Sequence, residues 1–159
     1  MKSGTRARGA AAHSDDGALA DDLERIAVGA VGLTTRALAE ANTGFELTFP
    51  QWRALLVLGE EADGARIGEV AARVGVTLPA TSRLLRRLER RGLTTLSVDE
   101  LDRRATRARL SDHGRSVRET ILAHRRAVLH EIAAGLPKAD QRRLKGGLRG
   151  IAAELERFA

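Results

Sequence analysis

The chain contains no cysteine, an absence that removes disulfides, thiolate nucleophiles, cysteine zinc sites and thiol redox switches together. Whatever the protein senses, it does not sense by thiol chemistry. Aromatic residues are nearly as scarce, with three Phe, one Trp and no Tyr among 159 residues, so the core must be packed from Leu, Ala, Val and Ile. No apolar run approaches the roughly 18 residues of a membrane span, and the N-terminus lacks the apolar segment of a secretory signal. The expectation is a soluble, cytoplasmic protein with no membrane partner. Its length suits one domain with a real core and is too short for two of full size.

What the sequence does hold is charge, and its placement is informative. Residues 1–65 carry 6 basic and 10 acidic side chains, residues 66–110 carry 11 and 5, and residues 111–159 carry 10 and 6. Every basic residue of the central block is an arginine, whose planar fork of donors suits phosphates and base edges. The choice of Arg over Lys, 24 to 3, also follows from a GC-rich genome. The location of the positive charge is therefore the stronger signal.

Residues 1–17 mix Gly, Ala, Ser, Arg and Asp without apolar periodicity and read as a flexible tail. From Ala18 a helical pattern sets in, with Leu19, Leu23, Ile26, Ala30, Leu33 and Ala37 at alternating spacings of four and three. A second row, Ala27, Val31, Thr34 and Leu38, lies beside it. Two rows exceed what one small core needs and point to burial against a partner chain as well. Thr48-Phe49-Pro50-Gln51 has the capping-box pattern and opens a helix with Trp52, Leu55, Leu56 and Leu58, which stops before the turn-forming Ala62-Asp63-Gly64. Arg66 to Val74 and Thr77 to Arg91 read as two short helices separated by Gly75-Val76. Leu93 to Val98 and Ala105 to Leu110 read as two strands around a charged tip.

Ser111 is placed to cap a long helix bearing Val117, Ile121, His124, Val128 and Ile132 on one face and ending at Pro137. A last helix carries Leu144, Leu148, Ile151, Leu155 and Phe158 at the spacing of a helix-packing seam. Gly146, Gly147 and Gly150 weaken that helix by roughly 1 kcal/mol each, so it depends on tertiary or intersubunit packing, and close approach of a neighbouring helix is one use for them.

The centre of the chain carries the functional pattern. Two short helices crossing steeply need a small residue at the crossing and one that tolerates positive φ at the turn, and Ala71 and Gly75 fit. Val70, Val74, Val76, Leu84, Leu85 and Leu88 supply the apolar wedge, with Thr81 where a larger apolar residue is expected. Thr77 is placed to cap the second helix by accepting from its free N–H groups. Pro79, Ala80, Ser82, Arg83, Arg86 and Arg90 are left on the other sides, a basic surface on a helix whose width fits the major groove. At the tip, Arg103 and Arg104 are placed to enter a minor groove, whose negative potential attracts a guanidinium. The acidic Asp102 beside them is expected to orient the wing by pairing with a recognition-helix arginine such as Arg87.

Three stretches in order, LTFPQWRALLVL at 47–58, IGEVAARVGVTLPATSRLLRRLERRGL at 67–93 and DRRATRARLSDHG at 102–114, resemble successive signatures of the MarR (multiple antibiotic resistance regulator) family, and the likeness extends over about residues 18–159. The resemblance implies a mainly α fold with a small β-hairpin wing: a winged helix-turn-helix at 48–110, with dimerisation helices at 18–47 and 111–159. It implies a transcriptional regulator, a repressor by preference, that binds a pseudo-palindromic operator on double-stranded DNA as a homodimer. DNA contacts fall to Thr77, Pro79, Ala80, Ser82, Arg83, Arg86, Arg87, Arg103 and Arg104, while Asp102 and Arg104 match the family's wing Asp-x-Arg. A small aromatic or amphipathic effector between the dimer helices and the winged domains is implied too, with Trp52, Arg53 and His124 as candidate contacts. The first wing strand departs from the pattern, because Thr94-Thr95-Leu96-Ser97 lacks the usual basic residues.

Other chemistries fare worse. Ser111-Asp112-His113 cannot converge as a catalytic set, since adjacent helical residues point about 100° apart, and no other acid, base and nucleophile converge, so no enzyme is expected. His124 and Glu131 share a helical face without a third ligand, so neither metal nor cofactor is expected. Two rival functions stay open: an effector-independent architectural DNA-binding protein, and a winged-helix protein-interaction module, which the basic surface disfavours.

Overall fold

The computed structural model describes residues 5–41, 44 and 46–158 and divides into two compact units, residues 1–37 and 38–159. The first unit holds most of α1 (Thr5–Glu40). This helix begins well before the apolar periodicity does, so residues 5–17 are helical where the sequence reads as a tail. Alanines at 10–12 and the absence of proline explain why propensity alone can carry the helix backwards.

The second unit contains α2 (Phe49–Glu60), β1 (Ala65–Arg66), α3 (Ile67–Val74), α4 (Leu78–Arg90), β2 (Thr94–Val98), β3 (Thr106–Leu110), α5 (Asp112–Gly135) and α6 (Lys138–Phe158). The strands form an antiparallel sheet in the order β1-β3-β2. β2 and β3 pair from Thr94↔Leu110 to Val98↔Thr106. β1 was not legible in the sequence: it adds Ala65↔Ala108 and Arg66↔Arg107 on the far edge of β3, and two residues are too few to show a period.

Local chemistry sets the element ends. At the start of α2 the Thr48 N–H donates to Gln51 Oε1 at 2.9 Å. Gly75 ends α3 at φ 76°, ψ 33°, its N–H donating to the Ala71 carbonyl at 3.0 Å, a left-handed cap that glycine adopts without a Cβ penalty. Ser111 caps α5 by accepting from the Gly114 N–H at 2.9 Å, and its hydroxyl also donates to the Gly92 carbonyl. The end of α5 is closed by the Gln141 amide, which donates to the carbonyls of Ala133 and Leu136 at 3.0 and 2.8 Å.

Thr77 is the N-cap residue of α4, but its side chain makes no capping bond. Its carbonyl instead accepts from both the N–H and the hydroxyl of Thr81, at 2.9 and 3.1 Å. That second bond accounts for a threonine in the apolar wedge, because a fully buried hydroxyl must find a partner. The core of this unit gathers Trp52, Leu55 and Leu58 from α2, Val70 from α3, Leu85 and Leu88 from α4, Leu93 before the wing and Ile121 from α5. α6 is exposed along much of its apolar seam at Leu144, Leu148 and Leu155. A Cβ on Gly146, Gly147 or Gly150 would meet nothing within 4 Å, so the close approach those glycines permit is not made within the described chain.

Candidate nucleic-acid interface

α4 turns Thr81, Leu85 and Leu88 inward and holds Leu84 half-buried. Arg83, Arg86, Arg87 and Arg90 are left exposed, with Thr77 and Pro79 exposed and Ala80 and Ser82 half-buried at its N-terminal end. The first turn contains no acidic residue. Two grooves flank the helix on the wing side. One, about 580 Å³, is lined by Leu78 and Ser82 of α4, Arg66 to Glu69 at the start of α3, and Asp102, Arg104, Ala105 and Thr106 of the wing. The other, about 390 Å³, lies between Ser82, Arg86 and Glu89 and the strand residues Leu96 to Val98 and Thr106. Ala80, Arg83 and Arg87 line a third hollow on the opposite flank, with Thr48, Pro50 and Gln51.

The wing is fixed to this helix and to the start of α3 by polar contacts. The Leu96 N–H donates to Glu89 Oε1 at 3.1 Å and the Thr94 hydroxyl to the Leu85 carbonyl at 3.3 Å. At the tip, Asp99 is 1% exposed. One carboxylate oxygen accepts from Arg66 Nη2 at 2.9 Å and from the N–H groups of Leu101 and Asp102 at 3.1 and 3.0 Å. The other accepts from Arg107 Nε at 2.8 Å and Arg66 Nε at 3.2 Å. The hydrogen bond from Arg66 is the leading cause that holds the Asp99 carboxyl well below the usual range, with Arg107 and the two backbone donors adding to it against the opposing effect of burial. The same contact pushes the Arg66 guanidinium further up. Arg107 also donates to the Gly64 carbonyl at 2.7 Å.

Asp102 does not pair with Arg87. Its carboxylate accepts from the Arg104 N–H at 3.0 Å, and the two residues line hollows on opposite flanks of α4. The carboxylate that holds the wing is Asp99, three residues earlier. Which acid turns inward depends on the β2–β3 register, and its partners Arg66 and Arg107 are brought together by the pairing of β1 with β3, neither of which spacing along the chain reveals.

The arginines of the central block divide accordingly. Of eleven between residues 66 and 110, five are engaged: Arg66 and Arg107 by Asp99, Arg73 by Glu60 and Glu61, Arg91 by the Glu46 carbonyl and Arg109 by the Asp63 carbonyl. The guanidinium groups of Arg83, Arg86, Arg87, Arg90, Arg103 and Arg104 have no hydrogen-bonding or ionic partner among the described residues. These six are the outer residues of α4 and the wing tip. Arg90 is exposed like the α4 arginines singled out from sequence.

The candidate effector contacts are engaged separately. Trp52 is enclosed in the core, Arg53 donates to the Arg73 carbonyl at the end of α3 at 2.7 Å, and His124 Nε2 lies 3.1 Å from Glu40 Oε2. No group of three potential metal ligands occurs among the described residues, and none of their helices is long and apolar enough to cross a membrane.

Residues 45–105 match the model of the MarR family. The chain is 37% identical over 83 residues to the HTH-type transcriptional regulator TtmR of Methylorubrum extorquens (strain PA1), an alignment covering 52% of this chain and 42% of TtmR. The chain thus matches less than half the length of that curated relative. The crystal structure of RV1404 from Mycobacterium tuberculosis superposes with a TM-score of 0.75 at 25% identity, over 88% of this chain and 91% of the other. CouR from Rhodococcus jostii RHA1, solved bound to p-coumaroyl-CoA, superposes with a TM-score of 0.60 at 27% identity, over 82% and 88% of the two chains.

Proposed function

We propose that the chain is a MarR-family protein, as the match of residues 45–105 to that family's model supports, and that it is a cytoplasmic transcriptional regulator that represses by occupying a pseudo-palindromic operator on duplex DNA as a homodimer. The observation that carries this reading is the segregation of the arginines. Those that are tied hold the winged unit together, and the six that are free lie on the outer surface of α4 and at the wing tip. Free guanidinium groups on a helix that fits a major groove are equipped for paired hydrogen bonds to guanine O6 and N7. Those at the hairpin tip suit the narrow, electronegative minor groove beside it. Thr77, Pro79, Ala80 and Ser82 complete the approach at the N-terminal end of α4, the end that commonly meets base edges.

Dimerisation through the regions at 18–47 and 111–159 is supported by aliphatic side chains that each unit leaves exposed: Leu19, Ile26 and Val31 in the first, and Ile132, Leu144, Leu148 and Leu155 in the second. Two copies would address half-sites about 34 Å apart, one turn of duplex. CouR's bound aromatic thioester supports a small aromatic or amphipathic effector that shifts the balance between DNA-competent and incompetent spacings of the dimer.

Selection of bound duplexes from a random pool tests the reading. A two-fold symmetric sequence should be enriched, with affinity that falls steeply as salt rises because phosphate contacts release counterions. Absence of enrichment together with salt-insensitive binding would overturn it. Arg83→Ala should lose discrimination at one or two base pairs, by about 1 to 3 kcal/mol for a bidentate contact.

A further inference from the structure

Leu78 is the first residue of α4 and is 55% exposed, on the helix whose outer surface otherwise presents Pro79, Glu89 and four arginines with free guanidinium groups. A leucine left this open contributes little to the core, which Leu85 and Leu88 of the same helix already fill. Its surroundings leave it accessible. Gly68 of the same groove has no side chain and space for one, and the wing residue Ala105, which also lines it, is small. The first turn carries no acid to repel a polyanion. Ser82, one turn further along, lines the groove with it and brings a hydroxyl that both donates and accepts. The major groove offers side chains one apolar feature, the C5 methyl of thymine. An exposed aliphatic residue in the opening turn of a recognition helix therefore has one well-matched contact on the base edges.

We infer that Leu78 is a specificity-determining residue that packs against the C5 methyl of a thymine in each half-site, on the wing-side flank of α4 that it shares with Ser82. The inference rests on the DNA-binding reading above and adds to it a base identity that arginine chemistry does not supply.

Replacing each thymine of the selected duplex in turn with deoxyuridine removes that methyl and nothing else. Fluorescence anisotropy titrations of the full-length protein should find one position per half-site where the replacement weakens binding about fourfold, the value of one buried methyl. Leu78→Ala should bind the thymine and uracil duplexes equally there, and Leu78→Met, which keeps an apolar side chain, should retain most of the discrimination. Wild-type protein indifferent to every replacement would overturn the inference, as would a Leu78→Ala variant that keeps the full penalty. Failure of the DNA-binding reading looks different, since the wild-type protein would then enrich no duplex at all. Circular dichroism melts and an unchanged salt dependence for Leu78→Ala would show that fold and phosphate contacts survive the substitution.

Discussion

Asp99 is enclosed by two guanidinium groups and two backbone donors, and folding lowers its pKa. Its ion cluster therefore stabilises the fold in full above the unfolded carboxylate's value of roughly 3.9 and loses that contribution as pH falls through the folded value. Asp99→Asn should melt below wild type at neutral pH, with the gap narrowing as pH drops below about 4. Thermal melts of both proteins over that range check this, and a gap independent of pH would remove charge as its cause. Arg104 differs, because its guanidinium has no partner to lose among the described residues and its backbone bond to Asp102 survives truncation of the side chain. Arg104→Ala should leave stability unchanged and lower the salt slope of DNA binding by about 1, one phosphate's worth. Unaltered affinity at low and high salt would remove that contact. The two residues also mark how far the sequence is legible at this scale. Exposed arginines on a helix with a known inner face can be read from spacing, whereas the acid that the wing buries is chosen by cross-strand register.

Element by element, the readable signals were those whose chemistry is local. Thr48 with Gln51, Gly75 after α3 and Ser111 before α5 each act within four residues of themselves, and the structure uses all three. Thr77 looked equally local, but the Thr81 hydroxyl reaches back to its carbonyl while its own side chain leaves the helix end uncapped. β1 and the helical reach of α1 before Ala18 left no periodicity to find. Gly114 shows a constraint that only packing reveals: a Cβ there would collide with the Leu93 carbonyl, where α5 abuts the entry to the wing. Because backbone rather than a flexible side chain would have to move, Gly114→Ala should cost about 1 to 3 kcal/mol, read as a lower urea midpoint with little change in slope. Wild-type stability would show that the joint yields.

At the scale of the whole molecule, apolar surface is left uncovered on α6. Leu148 and Leu155 are exposed on α6 with no neighbour in the described chain to cover them, and the same helix bears three glycines that its own turns do not need. If a second copy covers this seam, Leu148→Glu buries a charge in the interface. Sedimentation equilibrium should then show dimer for wild type and mostly monomer for the variant, with operator affinity falling in parallel. A variant that stays dimeric would exclude this seam from the interface. The seam could be read from sequence as a heptad-like row, but its partner could not, since spacing says that a face is apolar and not what lies against it.

A single residue, Ser111, separates strand β3 from helix α5, and it is bonded on both sides, to the Gly92 carbonyl and the Gly114 N–H. Such a joint has no slack. Five residues of strand make a lever arm of about 17 Å, so a tilt of about 10° at its root would carry the hairpin's far end about 3 Å, the scale of a lost hydrogen bond. A torque applied along the long helix would thus reach the root of β3 with no flexible linker to absorb it, and would load the contacts that hold the hairpin.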